Sequence, residues 1–310
     1  MQQSKFDRKS KLAILGAVLS LGALCVSAAE EQRTFATPKS AADSLLKAAE
    51  SGNRQLLLTF FGPGAEDLLN SGDPVEDRNN LDRFITKAKA SMKERIDPAN
   101  ASRAELLIGD DNFPFPIPLV KKAGRWQFDT ASGKHQVLVR RIGSNELDAI
   151  ATCKAYVDAQ VDYATEDRNH NGIPEYARKL ISSPGKRDGL FWPESDSPPT
   201  QLTERVKSAQ AEGYRVQVGT RVPYHGYYYQ ILLSQGQKAR GGALDYVQHG
   251  SMIGGFGLLA WPADYRVSGV KTFIVNQDGI IYEKDLGPST GKTAEEITTF
   301  DPDRTWHRVR

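Results

Sequence analysis

Cysteine is nearly absent from this chain, with two in 310 residues, Cys25 and Cys153. Only Cys153 outlasts the processing expected at the N-terminus, so the exported part has no intramolecular disulfide and must be stabilised by burial. Long hydrophobic runs are equally scarce. Beyond residue 29 every window of about 20 residues is broken by charge, too polar to span a bilayer. A charge excess of one sign is missing as well: 40 basic side chains face 38 acidic ones, without a Lys/Arg block. That balance argues against nucleic acid as a partner. Short catalytic signatures are missing too. There is no Gly-x-Ser-x-Gly and no His-Glu-x-x-His, the five histidines lack metal-ligand spacing, and no two carboxylates are paired as glycoside hydrolysis requires.

What is present begins with an export signal. Lys5, Arg8, Lys9 and Lys11 form a basic start, Leu12 to Val26 an apolar run, and Ser27, Ala28 and Ala29 a small-residue cleavage site. The run is about 15 residues and holds Gly16, Ser20 and Gly22, short for a membrane anchor. Leu24 before Cys25 argues against lipidation. Residues 1–29 are therefore expected to be a cleaved signal peptide, placing the protein in the periplasm or outside the cell. Its loss turns 40 basic and 38 acidic side chains into 36 and 37. The mature chain of about 280 residues is long enough for two ordinary domains.

The organisation expected is α+β, two small domains that each combine helix and antiparallel sheet. Thr37-Pro38 starts a helix carrying Ala41, Leu45, Ala48 and Ala49, which Ser51-Gly52-Asn53 stops. Leu56 to Phe61 begins a second short element, and Leu81, Phe84, Ile85 and Ala88 mark another helix. Leu106–Ile108, Ile117–Val120, Trp126–Phe128 and Val137–Val139 follow as strands. The domain boundary is expected at Gly143-Ser144-Asn145, dividing 30–142 from 143–310. Asn145 then caps a helix whose stripe is Leu147, Ile150, Val157, Val161 and Ala164, with Cys153, Tyr156 and Gln160 beside it. Strands are expected at Tyr214-Val216-Val218, Tyr227–Leu233, Thr272–Val275 and Ile280–Tyr282, the last two joined through Asp278-Gly279. A glycine-rich insertion occupies 236–269.

Phe113-Pro114-Phe115-Pro116, Arg140-Arg141-Ile142-Gly143, Pro223-Tyr224-His225-Gly226-Tyr227-Tyr228 and Trp261-Pro262-Ala263 occur in an order that resembles the bacterial family known as domain of unknown function 2950, over about residues 35–309. That resemblance implies no activity. In the second half, Asn145-Glu146-Leu147-x-Ala149-Ile150, Ala159-Gln160-x-x-Tyr163-Ala164 and Phe273-Ile274-Val275-x-x-Asp278-Gly279 resemble the globular part of type IV pilins and pseudopilins. The departure is that a polar domain stands where pilins carry their hydrophobic assembly helix, which argues against pilus formation. The first domain's order of elements is similar to nuclear-transport-factor-like and cystatin-like folds.

Three patterns carry candidate chemistry. Asp167-x-Asn169-x-Asn171-Gly172-Ile173-x-Glu175 spaces oxygen ligands as calcium loops do, though Arg178 stands at the twelfth position. The other reading is a solvated Asn-Gly turn that binds no cofactor. The aromatic run around Tyr224, His225 and Tyr228, with Trp192 and Trp261, supplies flat surfaces suited to a sugar or peptide. If the run is a strand, Tyr227 and Tyr229 share one face and Tyr228 takes the other, with core packing the competing role. Gly287 to Thr293 approximates a phosphate loop but has three residues between its glycines instead of four. No residue is assigned a catalytic role. The expectation is a noncatalytic, envelope-associated module that binds an envelope polymer or a protein. The alternative is an envelope hydrolase acting on peptide or polysaccharide through His225, His249 and Ser251.

Overall fold

A computed structural model describes residues 32–215 and 221–310. The expected signal peptide, and Val216 and Val218 of one expected strand, lie outside the described residues. The fold is α+β. Its first half opens with α1 (Pro38–Glu50), α2 (Arg54–Phe61), α3 (Glu66–Leu69) and α4 (Pro74–Ala90). Thr37 and Ser40 cap α1 reciprocally, and Asn53 and Asp73 cap α2 and α4 through their side-chain oxygens. Each cap satisfies amides that a first helical turn leaves without partners.

Strands β1 (Met92–Asp97), β2 (Asn100–Ile108), β3 (Phe113–Pro114), β4 (Leu119–Lys122) and β5 (Arg125–Phe128) follow. They form an antiparallel sheet in the order β1-β2-β4-β5, with β3 also on β2. The helices and this sheet enclose Leu45, Leu57, Phe60, Leu106, Leu119 and Phe128. Phe61 and Phe128 meet edge to face at 5.3 Å, the favourable orientation of two ring quadrupoles.

Where a strand and then a domain boundary were expected, the chain runs through both as one helix, α5 (Thr130–Tyr163), 34 residues and about 50 Å long. Val137–Val139 is helical because Asp129 caps the turn at Ser132 and every fourth residue from Gly133 faces inward: Val137, Arg141, Asn145, Ala149 and Cys153. A Cβ on Gly133 would lie 2.7 Å from the Ile117 Cα, so glycine permits the close crossing. Asn145 is not a cap. It lies buried in mid-helix and donates to the Ser268 carbonyl at 3.0 Å. The expected apolar stripe is also rotated, since Leu147 and Val161 are 69% and 56% exposed. The buried face is instead built of Ala149, Cys153, Tyr156, Ala159 and Gln160, small enough or hydrogen-bonded enough to let the helix lie close to a sheet.

Past α5 come α6 (Gln201–Ala211) and β6 (Tyr227–Leu232), then the short strands β7 (Ser234–Gln235), β8 (Leu244–Asp245), β9 (Val247–Gln248) and β10 (Ser251–Met252). They lead to β11 (Gly257–Pro262), β12 (Lys271–Asn276), β13 (Tyr282–Asp285), α7 (Thr290–Glu295) and β14 (His307–Arg308). The main sheet has the order β14-β13-β12-β11-β6, antiparallel throughout. The glycine-rich segment 236–269 is therefore no simple insertion, because it contains β11, an interior strand of the sheet between β12 and β6. That strand is buried on both faces and so lacks the alternation of a half-exposed strand. Leu258 and Ala260 pack towards α5, while Leu259 and Trp261 pack towards Ala294 and Phe300.

Candidate functional site

The turn that opens β6 is the best-anchored piece of the second half. Tyr224 and Tyr227 exchange both backbone hydrogen bonds, at 2.8 and 3.1 Å, around His225 and Gly226, whose φ angles are +46° and +74°. Two successive left-handed residues match the twist of a tight hairpin, and the pair is held from several sides. Asp73 is fully buried. Its Oδ1 caps α4, while its Oδ2 accepts from the Tyr214 hydroxyl at 2.8 Å and the Gly226 amide at 3.0 Å. A Cβ at Gly226 would come within 2.5 Å of Asn145 Nδ2. Asn79 Nδ2 donates to the Glu212 carbonyl at 3.1 Å, a second tie between α4 and the end of α6.

His225 lies between two carboxylates, with Nε2 2.9 Å from Glu212 and Nδ1 3.2 Å from Asp148. Arg205 Nη1 donates to the other Asp148 oxygen at 2.7 Å. Burial opposes the charge on the imidazole, but the two carboxylates outweigh it and raise its pKa to about 9. Burial likewise opposes the charge on Asp148, and His225 and Arg205 overcome it, holding the carboxyl below its usual range. At neutral pH His225 is an imidazolium whose Nε2 is hydrogen-bonded to Glu212 and whose Nδ1 is in ion-pair contact with Asp148. It has no lone pair with which to activate a nucleophile. Tyr224 stacks on its ring at 4.1 Å, and Tyr214 meets Tyr224 edge to face at 5.4 Å.

Beside this cluster opens a cleft of about 560 Å³, floored by β6 and β11 and walled by α5 and α6. Leu202, Val206, Ala209, Ile231 and Leu258 make most of its lining apolar. Thr152 and Tyr229 contribute to the wall, but their hydroxyls are sealed behind it, away from solvent, with Thr152 the polar neighbour of Tyr229 Oη. Thr152 is 6% exposed, and burial pushes the Tyr229 pKa well upward. Five cations border the cleft, Arg178, Lys179, Arg205, Arg215 and Arg221, and among the described residues no carboxylate does. A larger cleft of about 960 Å³ lies in the first half beside Phe61, Phe115 and Ile117, and its rim mixes Glu76 and Asp77 with Arg83 and Arg140.

The expected binding residues fall in three places. Tyr224 lines the first cleft, and His225 is its stacked neighbour outside that lining. Tyr228 and Trp261 pack on the opposite face of the sheet, their rings 5.6 Å apart, with Arg221 over the indole at 5.0 Å. Trp192 belongs to the core against α5 and donates from Nε1 to Asp196 at 2.9 Å. Trp261 and Trp192 are 1% and 2% exposed, so neither offers a face to a sugar or peptide. Their size favours burial over display. The alternation expected for the aromatic run holds, with Tyr227 and Tyr229 towards α5 and Tyr228 away from it.

His249 occupies the exposed two-residue turn between β9 and β10, with φ at +51°, and no hydrogen bond joins it to the buried Ser251. The residues of the hydrolase alternative are thus not assembled. Sequence reasoning missed Asp148, Arg205, Glu212, Thr152 and Tyr229. Arg205 and Glu212 were legible in part, because Pro199-Thr200 followed by Leu202, Val206 and Ala209 at helical spacing signals α6.

The Asp167 loop brings its residues together. Asp167 accepts from the Asn171 and Gly172 amides at 3.0 and 2.8 Å, and Asn171 Oδ1 accepts from the Ile173 amide at 3.0 Å. Glu175, 4% exposed, receives Asn169 and Asn171 on one oxygen and the Met252 amide, at 2.7 Å, on the other. No group of three His, Cys, Asp or Glu side chains suited to a metal occurs among the described residues. A cation here would depend on two carboxylates, two amide oxygens and the Ile173 carbonyl, an all-oxygen set of the kind calcium takes.

The match to known families spans this whole frame, from residue 32 to residue 309. The chain belongs to the family described as "Protein of unknown function (DUF2950)". Both clefts, the His225 turn and the Asp167 loop lie inside the region the family covers. No curated protein and no solved structure matches the chain.

Proposed function

We propose that this family member is an exported, noncatalytic binding module of the cell envelope, and that the cleft between α5, α6 and β6 is where it binds. The observation that carries this reading is an apolar recess whose bordering charges are all cationic, the make-up of a ligand site. Its one nearby histidine is locked as a cation, which favours binding over hydrolysis. Export rests on the basic, apolar and small-residue succession of residues 1–29. Within the same proposal the two halves are separate domains that share α5, and the second is pilin-like in the limited sense of a long helix laid on an antiparallel sheet.

The test is affinity capture from envelope extracts with the exported protein as bait, beside a Val206→Trp variant in which the indole fills the cleft. The expected result is an envelope component retained by the wild type and lost by the folded variant. Identical retention by both would remove the cleft from the reading. Release of new peptide or glycan ends from the captured component would replace binding by hydrolysis.

A further inference from the structure

Building on the cleft as the binding site, we infer that its ligand is an amphipathic monoanion of the fatty-acid class. The alkyl chain lies against Leu202, Val206, Ile231 and Leu258, and the carboxylate lies at the rim. Charge sets the choice of head group. Of the five bordering cations three are engaged within the protein. Arg205 pairs with Asp148 at 2.7 Å, Lys179 with Asp188 at 2.7 Å, and Arg221 with Glu295 at 2.8 Å. Arg178 and Arg215 are exposed and have no hydrogen bond or ion pair among the described residues. Two free guanidiniums at the mouth of an apolar recess, with no carboxylate in its lining, suit a carboxylate and repel an amine.

The interior sets the choice of body. A polysaccharide needs many donors and acceptors, whereas the polar groups here are few, and the hydroxyls of Thr152 and Tyr229 are sealed behind the wall, out of a ligand's reach. An alkyl chain matches such a wall by removing apolar surface from water. A volume of about 560 Å³ lies in the middle of the range for sites that enclose one small ligand. The rim arginines are solvated, so their contribution falls as salt is raised.

Titration calorimetry of the exported protein with dodecanoate, dodecanol and dodecylammonium, each below its micellar concentration, tests the inference. Dodecanoate is expected to bind at least tenfold more tightly than dodecanol, with dodecylammonium weakest. An Arg178→Glu, Arg215→Glu double variant is expected to lose that preference while still taking dodecanol. Both arginines are exposed and unpaired among the described residues, so the fold described does not depend on them. Val206→Trp is expected to abolish binding of all three with its melting temperature retained. Equal binding of dodecanoate and dodecanol would overturn the anionic head. If no alkyl probe binds, yet envelope capture still depends on Val206, the ligand class is wrong and the binding-module reading stands. If capture is also indifferent to Val206, both are wrong.

Discussion

The imidazolium of His225 makes the protein's stability depend on pH in a direction fixed by the structure. Its folded pKa of about 9 stands above the ordinary histidine value of 6.5. A pKa raised on folding contributes stability that is complete below the unfolded value and is lost as pH rises through the folded one. The rise from 6.5 to about 9 corresponds to about 3.5 kcal/mol, at about 1.4 kcal/mol per unit. This is an upper figure, because Glu212 is partly exposed and its pull on the ring is screened by solvent. The informative variant is His225→Asn. Asparagine tolerates the left-handed backbone of this turn, carries no charge, and leaves Asp148 its bond from Arg205. Urea unfolding of both proteins at about pH 6 and about pH 10 yields the two stability differences, with unshifted groups cancelling between them. The variant is expected to be less stable by roughly 3 kcal/mol at the lower pH, a gap that closes to within roughly 1 kcal/mol at the higher one. A gap that stays constant with pH would refute the ion-pair account and leave only packing against Tyr224.

Three other outcomes are expected. Asp73→Ala removes the cap of α4 and strands the Tyr214 hydroxyl and the Gly226 amide, so urea unfolding should show a loss of about 3–5 kcal/mol, with Asp73→Asn losing less. The buried Cys153 thiol, with its pKa pushed up to about 12 by burial, should resist alkylation by iodoacetamide at neutral pH until the protein unfolds, as mass spectrometry would show. Millimolar calcium should raise the melting temperature relative to chelator, and Glu175→Gln should abolish the rise, because Glu175 is a buried carboxylate with no cationic partner within salt-bridge reach in the described residues. An identical melt with and without calcium would return the loop to an Asn-Gly turn.

Local chemistry was readable from the order of residues alone. Thr37-Pro38 starts its helix where capping requires it. Asp278-Gly279 turns β12 towards β13, with Gly279 at a φ of +69°. Tyr227 and Tyr228 point to opposite faces because a strand allows nothing else. Each of these depends on contacts a few residues apart, which sequence spacing states directly.

Long-range packing decided the rest. Val137–Val139 resembles a strand until the inward face from Gly133 to Cys153 shows it to be a stretch of α5 bridging two cores. Leu147 and Val161 attract a hydrophobic stripe that closeness to the sheet awards instead to alanine, cysteine and hydrogen-bonded Gln160. The cleft depends on distance in sequence even more. Asp148, the pair Arg205 and Glu212, and His225 sit on three different segments, and spacing along the chain cannot express that they meet. Cysteine scarcity, charge balance and the basic, apolar, small-residue succession of residues 1–29 are properties of the chain as a string, and the sequence alone determined them. A charged cluster exists only once distant segments are folded against one another and share the cost of burial, so only the tertiary structure placed a locked histidine beside an apolar, cation-rimmed cleft.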